Sequence, residues 1–315
     1  MTLPAAYQLS RALPEACGFF VLCPNFLVPL WEACPWVNCA IGMEAKRVSP
    51  FEIIKLRTLY AGVAVVFPNS FGSALDVYRC KIPNRVGRAG RFRSFLLTHR
   101  LPEWPRAKGN ADCHQLSYYL ELASALAPID YSPHYPKLVT DPDLATALGM
   151  GDGDNWLAIA PGAAFGPAKQ WPAEHFLAVG KWHVAHGGRV VLVGSKGEMP
   201  VAARLAEQLP GALNLAGRTN LSELMAVLAS AHFVVANDSG AMHLAAAVGT
   251  SGVAIFGSTD PTATGPLGAP WRLIVSPAEC RPCFQRRCPR QDNPYFCLRD
   301  ISPEAVQEEL KALEV

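Results

Sequence analysis

The chain has 315 residues, half of them hydrophobic and 17% charged, which is enough apolar material for two domain cores and excludes a disordered chain, a mini-protein and a fibre. Twenty-eight Lys and Arg against twenty-six Asp and Glu leave a net charge of +2, so overall charge does not imply nucleic acid and only local charge can argue for a polyanion. No uninterrupted apolar run reaches the roughly 18 residues of a membrane-spanning helix. The best stretch, 12–30, is broken by Pro14, Glu15, Pro24, Asn25 and Pro29. The start also lacks the basic, apolar and small-residue series of an export signal, and a cytoplasmic location is expected.

Residues 3–13 predict a helix with Pro4 in its first turn, 18–22 a strand, and 62–67 a short buried strand ending at Pro68 and Asn69. The stretch 79–110 is different, rich in Arg, Pro and Gly; 113–126 then predicts a helix and 127–136 an exit segment. A domain boundary in 130–155 divides the chain into 1–145 and 146–315. The second part has a strand over 156–160, a helix over 173–186, a strand over 189–193, and helices over 201–209 and 221–229. A strand over 233–236, a helix over 242–248 and a strand over 252–256 come next. This alternation specifies right-handed crossovers and a parallel sheet, an α/β fold, and no fixed-period repeat interrupts it.

Open α/β sheets bind ligands where strands end and helices begin, which gives weight to three polar loops. The first, 161–172, joins Gly162 and Gly166 to Lys169 just before a helix, a combination suited to phosphate but also found in plain surface loops. The second runs from Asn237 through Asp238, Ser239, Gly240 and Met242 to His243. Its helix-start amides and the Ser239 hydroxyl suit a pyrophosphate, whereas Asp238 would repel phosphate and fits sugar hydroxyls or a helix cap. His243 reads equally as a packed or a reactive histidine. The third loop, 257–266, carries Ser258, Thr259 and Asp260, whose polarity serves a turn or a phosphate.

Two further features stand apart. Lys81, Arg85, Arg88, Arg91, Arg93, Arg100 and Arg106 face only Glu103 within 81–106, which fits either a polyanionic partner or a solvated basic surface. No RNA-recognition module or zinc-finger spacing accompanies them, and no nucleic-acid partner is expected. Of ten cysteines, the six from Cys17 to Cys113 read as reduced, buried apolar residues. Cys280, Cys283, Cys288 and Cys297 are compatible with a structural zinc, with packing thiols or with two disulfides. Dinucleotide, Walker, serine-hydrolase and zinc-protease signatures are missing, and a diphosphate ligand without them points to nucleotide-sugar chemistry.

The three loops, in this order and spacing, resemble those of the ADP-heptose:lipopolysaccharide heptosyltransferases of glycosyltransferase family 9, and the cysteine tail is similar to that of their heptosyltransferase II branch. The resemblance covers almost the whole chain. It implies a GT-B fold of two Rossmann-like domains with parallel sheets, acceptor side first, and an inverting transfer of heptose from ADP-heptose to the heptosyl-Kdo2-lipid A inner core. It further implies peripheral contact with the cytoplasmic membrane face and no obligatory cofactor. Residue by residue, it sets Lys169 on the donor phosphate and Asp238 on the heptose, both catalytic, with Gly162, Ser239, Gly240, His243 and Thr259 lining the donor. Arg85, Arg88, Arg91 and His114 would meet the anionic acceptor, with Tyr118 and Tyr119 near them.

The family opens with a strand and an Asn-Trp-x-Gly-Asp-like loop whose aspartate is assigned as the base. This chain starts at Met1, Thr2, Leu3, Pro4 and Ala5, residues that resemble the family segment on the far side of that loop, so the strand and aspartate are expected to be missing. A shortened start, a different base, or a weakened protein that only binds nucleotide sugar or glycolipid are the readings this leaves open, beside a transferase for another NDP-sugar.

Overall fold

The computed structural model describes residues 1–14, 17–104, 114–151 and 153–314; Arg106 and Cys113 lie outside them. The chain forms two compact units, Met1–Pro136 and Lys137–Val315.

The first unit begins with α1 (Leu3–Ala12), carrying Pro4 in its first turn and burying Leu3, Ala5, Ala6 and Leu9. Strand β1 (Phe20–Pro24), helix α2 (Val28–Glu32) and strand β2 (Cys39–Met43) come next, and the two strands pair in parallel with Phe20 opposite Cys39. Helix α3 (Pro50–Arg57) starts from a capping box between Ser49 and Glu52, with Pro50 at its first position. Strand β3 (Val63–Val65), helix α4 (Phe71–Arg79), strands β4 (Asn84–Arg88) and β5 (His99–Leu101) and helix α5 (Gln115–Ser124) complete the unit. β3, β4 and β5 make a second parallel sheet, with Val86 opposite both Val65 and His99. Residues 84–101 of the arginine-rich stretch therefore supply two strands of a sheet, a role their Arg, Pro and Gly content conceals.

The second unit runs α6 (Pro142–Ala147), β6 (Trp156–Ala160), α7 (Ala173–Ala185), β7 (Arg189–Leu192), α8 (Met199–Ala206), β8 (Leu213–Asn214) and α9 (Leu221–Ser230). It continues with β9 (Phe233–Asn237), α10 (Gly240–Val248), β10 (Gly252–Phe256), α11 (Pro261–Thr264), β11 (Trp271–Val275), α12 (Phe296–Arg299) and α13 (Pro303–Lys311). Its six strands pair in parallel in the order β11, β10, β9, β6, β7, β8. Every residue of β6, β9 and β10 is buried, because helices cover both faces, which explains their unbroken apolar runs. The order is that of a Rossmann sheet, reversing between β6 and β9, so a crevice opens past the carboxyl ends of those two neighbours. Leu157, Ile159, Phe176, Val179, Val235 and Ile255 form the core beneath it, closed by Val306 and Leu310 of α13.

His183 of α7 is buried and its Nε2–H donates to the Asn155 carbonyl at 2.9 Å. Burial holds its pKa below the ordinary value, so folding favours the neutral ring while the unfolded chain takes up a proton near about pH 6.5. Its contribution is complete above that pH and is lost as pH falls through it toward the folded value. The expected result is a Tm that declines more steeply on acidification in the wild type than in His183→Gln. Parallel declines would exclude His183 as a source of acid sensitivity.

Candidate active site

The loop after β6 is held by the strand beside it. Asn237, the last residue of β9, has no exposed surface and makes three hydrogen bonds: its Oδ1 accepts from Trp171 N at 2.9 Å, and its Nδ2 donates to Pro161 O at 2.9 Å and Gly162 O at 3.1 Å. One amide thus ties both ends of 161–171 to the sheet. The Trp171 indole is buried and donates to Ile301 O at 3.0 Å, anchoring the far end again. A Cβ on Gly162 would lie 1.9 Å from Glu198 Oε1, so this position takes no side chain while Glu198 stays in place. Glu198 is itself fixed by a 2.6 Å bond from Ser195 N.

These restraints deliver Lys169 to Asp238. Lys169 Nζ donates to Asp238 Oδ2 at 2.5 Å, and Thr259 Oγ1 donates to the same oxygen at 2.6 Å. The three side chains come from the loops that follow β6, β9 and β10, neighbours in the sheet though far apart in sequence. Asp238 is 5% exposed and Thr259 7%, so the ion pair sits at the rim of the protein interior, where solvent screening is weak. The ammonium also lies 4.9 Å from the centre of the Phe165 ring.

Beside the triad, α10 points its amino terminus outward. Gly240, its first residue, is exposed, and a Cβ there would meet nothing within 4 Å. The free amides of the first turn are positive and open to an anion. The hydroxyl oxygens of Ser239 and Ser258 are buried without a hydrogen-bond partner among the described residues. A cation, helix-start amides and two unengaged hydroxyls at the carboxyl end of one sheet suit a diphosphate. His243 sits one turn into α10, half-buried.

The residues expected on the acceptor side part company. Arg88 is 2% exposed, bonded to Glu121 Oε2 at 2.7 Å, with its guanidinium 4.6 Å from the ring centres of both Trp104 and Tyr118. Arg93 has no exposed surface and donates to Arg88 O, Pro68 O and Ser70 O. Arg85 donates to Leu96 O and Ile82 O. The reading of one continuous basic surface is therefore corrected: Arg88 and Arg93 are internal clamps, because multiple carbonyl acceptors within reach of a guanidinium fork offset its desolvation. Arg91 remains exposed. His114 is the amino-terminal cap of α5, its Nδ1 accepting from Leu116 N at 3.1 Å.

The sequence profile of glycosyltransferase family 9 (heptosyltransferase) matches residues 54–293. The chain belongs to glycosyltransferase family 9. It is 32% identical to lipooligosaccharide heptosyltransferase 2 of Haemophilus influenzae over 98% of this chain and 93% of that protein. It is also 32% identical to lipopolysaccharide heptosyltransferase 2 of Escherichia coli K12, over 93% and 88% respectively. The structure of E. coli ADP-heptose lipopolysaccharide heptosyltransferase II superposes with a TM-score of 0.81 at 28% identity, covering 99% of this chain and 94% of that one. The fold of this family 9 glycosyltransferase is thus GT-B, as the loop resemblance implies, and the protein is a transferase.

In this glycosyltransferase the zinc reading of the tail finds no support. Among the described residues no group of three or more His, Cys, Asp or Glu is arranged to hold a metal ion. Cys297 instead packs into the core of the second unit. Burial pushes its thiol pKa up, and Cys280, Cys283 and Cys288 nearby push it further. The residue that sequence reasoning passes over is Asn237. It stands in the second loop motif, but its amide faces inward, and only the pairing of β6 with β9 reveals what it holds.

Proposed function

We propose that this glycosyltransferase moves heptose, with inversion, from ADP-heptose to the heptosyl-Kdo2-lipid A inner core. The observation that carries the reading is the Lys169, Asp238 and Thr259 triad beside the open α10 terminus, at the switch point of a Rossmann sheet. The acceptor hydroxyl attacks the anomeric carbon from the face opposite ADP, the bond from that carbon to the β-phosphate oxygen breaks, and the hydroxyl proton passes to a base. Charge accumulates on the departing ADP. Lys169 and the amides of Gly240 and its successors neutralise it, with the Ser239 hydroxyl as a further donor. Asp238 accepts from heptose hydroxyls, and its charge favours the cationic character of the sugar in the transition state. Thr259 holds that carboxylate in place.

The second unit is thereby the donor side and the first the acceptor side. The acceptor is anionic, and the first unit offers Arg91 beside Phe92, 93% exposed, on a turn where Gly90, Arg91 and Phe92 are all left-handed. Two non-glycine residues held in that region store strain, and the turn displays a cation and an aromatic ring to solvent. An anionic glycolipid at the cytoplasmic face of the inner membrane would meet both groups. No helix among the described residues is long and apolar enough to cross a membrane.

The test mixes this chain with ADP-heptose and heptosyl-Kdo2-lipid A in anionic vesicles, reading ADP release and product mass, with an acceptor-free control. Acceptor-dependent ADP release with one added heptose is the expected result. ADP-heptose binding without product would make the protein a donor-binding scaffold, and preferred turnover of another NDP-sugar would reassign the donor.

A further inference from the structure

The segment that bears the tail cysteines lies against the backs of two donor loops. Arg281 sends its fork to the third loop, with Nε donating to Gly257 O at 3.0 Å and Nη2 to Thr259 O at 2.8 Å. Phe284 N donates to Ser258 O at 2.8 Å, so three successive carbonyls of 257–259 are engaged from this one segment. Arg286 treats the first loop alike: its Nε donates to Phe165 O at 2.7 Å, and its own carbonyl accepts from Ala168 N at 3.2 Å. Its guanidinium shares the Phe165 ring with Lys169, at 5.5 Å against 4.9 Å. The two loops touch directly as well. Ser258 N donates to Ala168 O at 3.2 Å, and a Cβ on Gly257 would lie 2.8 Å from that oxygen.

The consequence falls on the triad. Thr259 and Lys169 both direct their polar atoms at Asp238 Oδ2, and each stands on a backbone that an arginine of 281–286 restrains. We infer that Arg281 is a positioning residue for glycosyl transfer, acting through Thr259 on the Asp238 carboxylate. It reaches only backbone carbonyls among the described hydrogen bonds, so its effect is indirect. A planar guanidinium can bridge carbonyls two residues apart, whereas a lysine ammonium would hold one of them. Releasing the strap lets Thr259 drift, and a displacement of about 1 Å in such a constellation is enough to cost up to about 100-fold in rate. ADP itself meets Lys169 and the α10 amides, to which Arg281 makes no hydrogen bond of its own.

This inference rests on the ADP-heptose reading, so wild-type turnover is measured first; its absence overturns both. With wild-type turnover established, Arg281→Met is expected to lower kcat by about 10- to 100-fold, with KM for ADP-heptose and the affinity for ADP changed less than about threefold. Arg281→Lys should recover part of the loss. The decisive comparison is a double-variant cycle: Arg281→Met in a Thr259→Val background should lower kcat by less than about threefold more, because the group through which it acts is already gone. An unchanged kcat in Arg281→Met, or losses that multiply fully in the double variant, would overturn the assignment. Should the methionine variant fail to fold, Arg281→Lys at wild-type Tm must still show several-fold lower kcat, and wild-type turnover in it would equally overturn the assignment.

Discussion

Lys169→Met is expected to lower kcat by about 10²- to 10³-fold, the range found when a single preorganised charge stabiliser is removed. Two effects combine. The departing diphosphate loses its cation, and the Asp238 carboxylate, 5% exposed, is left with Thr259 as its remaining described side-chain partner. That bare carboxylate repels ADP, so donor affinity should fall as well, by about tenfold or 1.4 kcal/mol. Asp238→Asn separates the two roles. The amide nearly keeps the shape, can still accept from Thr259, and frees Lys169 for phosphate. ADP should then bind at least as tightly as to the wild type while transfer falls by a factor like that of the lysine variant. Calorimetry with ADP and single-turnover transfer from ADP-heptose check the pair. An Asp238→Asn enzyme with weakened ADP binding and normal transfer would overturn the assignment, leaving Asp238 to hold Lys169 for the nucleotide rather than to act on the sugar.

The largest loss of stability is expected at a residue that touches no substrate. Asn237→Ala removes the acceptor of Trp171 N and the donor to Pro161 O and Gly162 O, all in a site without water access at Asn237 itself. At about 1 to 3 kcal/mol for each buried group left unpaired, the total is roughly 3 to 5 kcal/mol after partial relaxation. For a domain of this size that corresponds to a Tm lower by about 10 °C. Asn237→Asp should be no milder: it keeps the acceptor for Trp171 N but sets a carboxylate oxygen against two carbonyls. Thermal unfolding measures both, and ADP binding should weaken alongside, since Lys169 is carried by the loop that Asn237 pins. A Tm within about 2 °C of wild type in the alanine variant would show that the remaining bonds, from the Trp171 indole, Arg286 and Ser258, hold the loop without Asn237.

Asn237 and Arg281 show why sites of this kind are only half legible in a sequence. The three loops can be found from local chemistry, since glycines, a lysine before a helix and small polar residues at helix starts are properties of short windows. Their ligand class comes from those windows and from the missing Walker and dinucleotide signatures. The groups that hold the loops still are bonded across long sequence intervals. Asn237 reaches residues 161, 162 and 171, and Arg281 reaches 257 and 259. Neither partner set has a sequence spacing of its own, because each is created by strand order.

The arginine-rich stretch shows the converse. Composition alone reads seven cations and one carboxylate as a surface, since a charged side chain is usually solvated. Arg88 and Arg93 are interior because Glu121, Trp104, Tyr118 and the carbonyls of Pro68, Ser70 and Pro102 converge on them from other elements. Arg91, next to Arg93 but one, faces water because the left-handed turn between them reverses the chain. His114 likewise serves as a helix cap, a duty that depends on where α5 begins.

By itself the sequence determined the α/β alternation, the apolar strands at 156–160, 233–236 and 252–256, the three polar loops that follow them and, through their order, the resemblance to a glycosyltransferase family to which the chain belongs. These are readable because hydrophobic periodicity and turn chemistry act over a few residues. Only the tertiary structure decided that Lys169 and Thr259 share one oxygen of Asp238, which arginines are buried, and that the tail's arginines brace the first and third loops. Burial and hydrogen-bond partnership are settled by which distant segments the parallel sheet brings side by side, and that ordering is a property of the assembled fold.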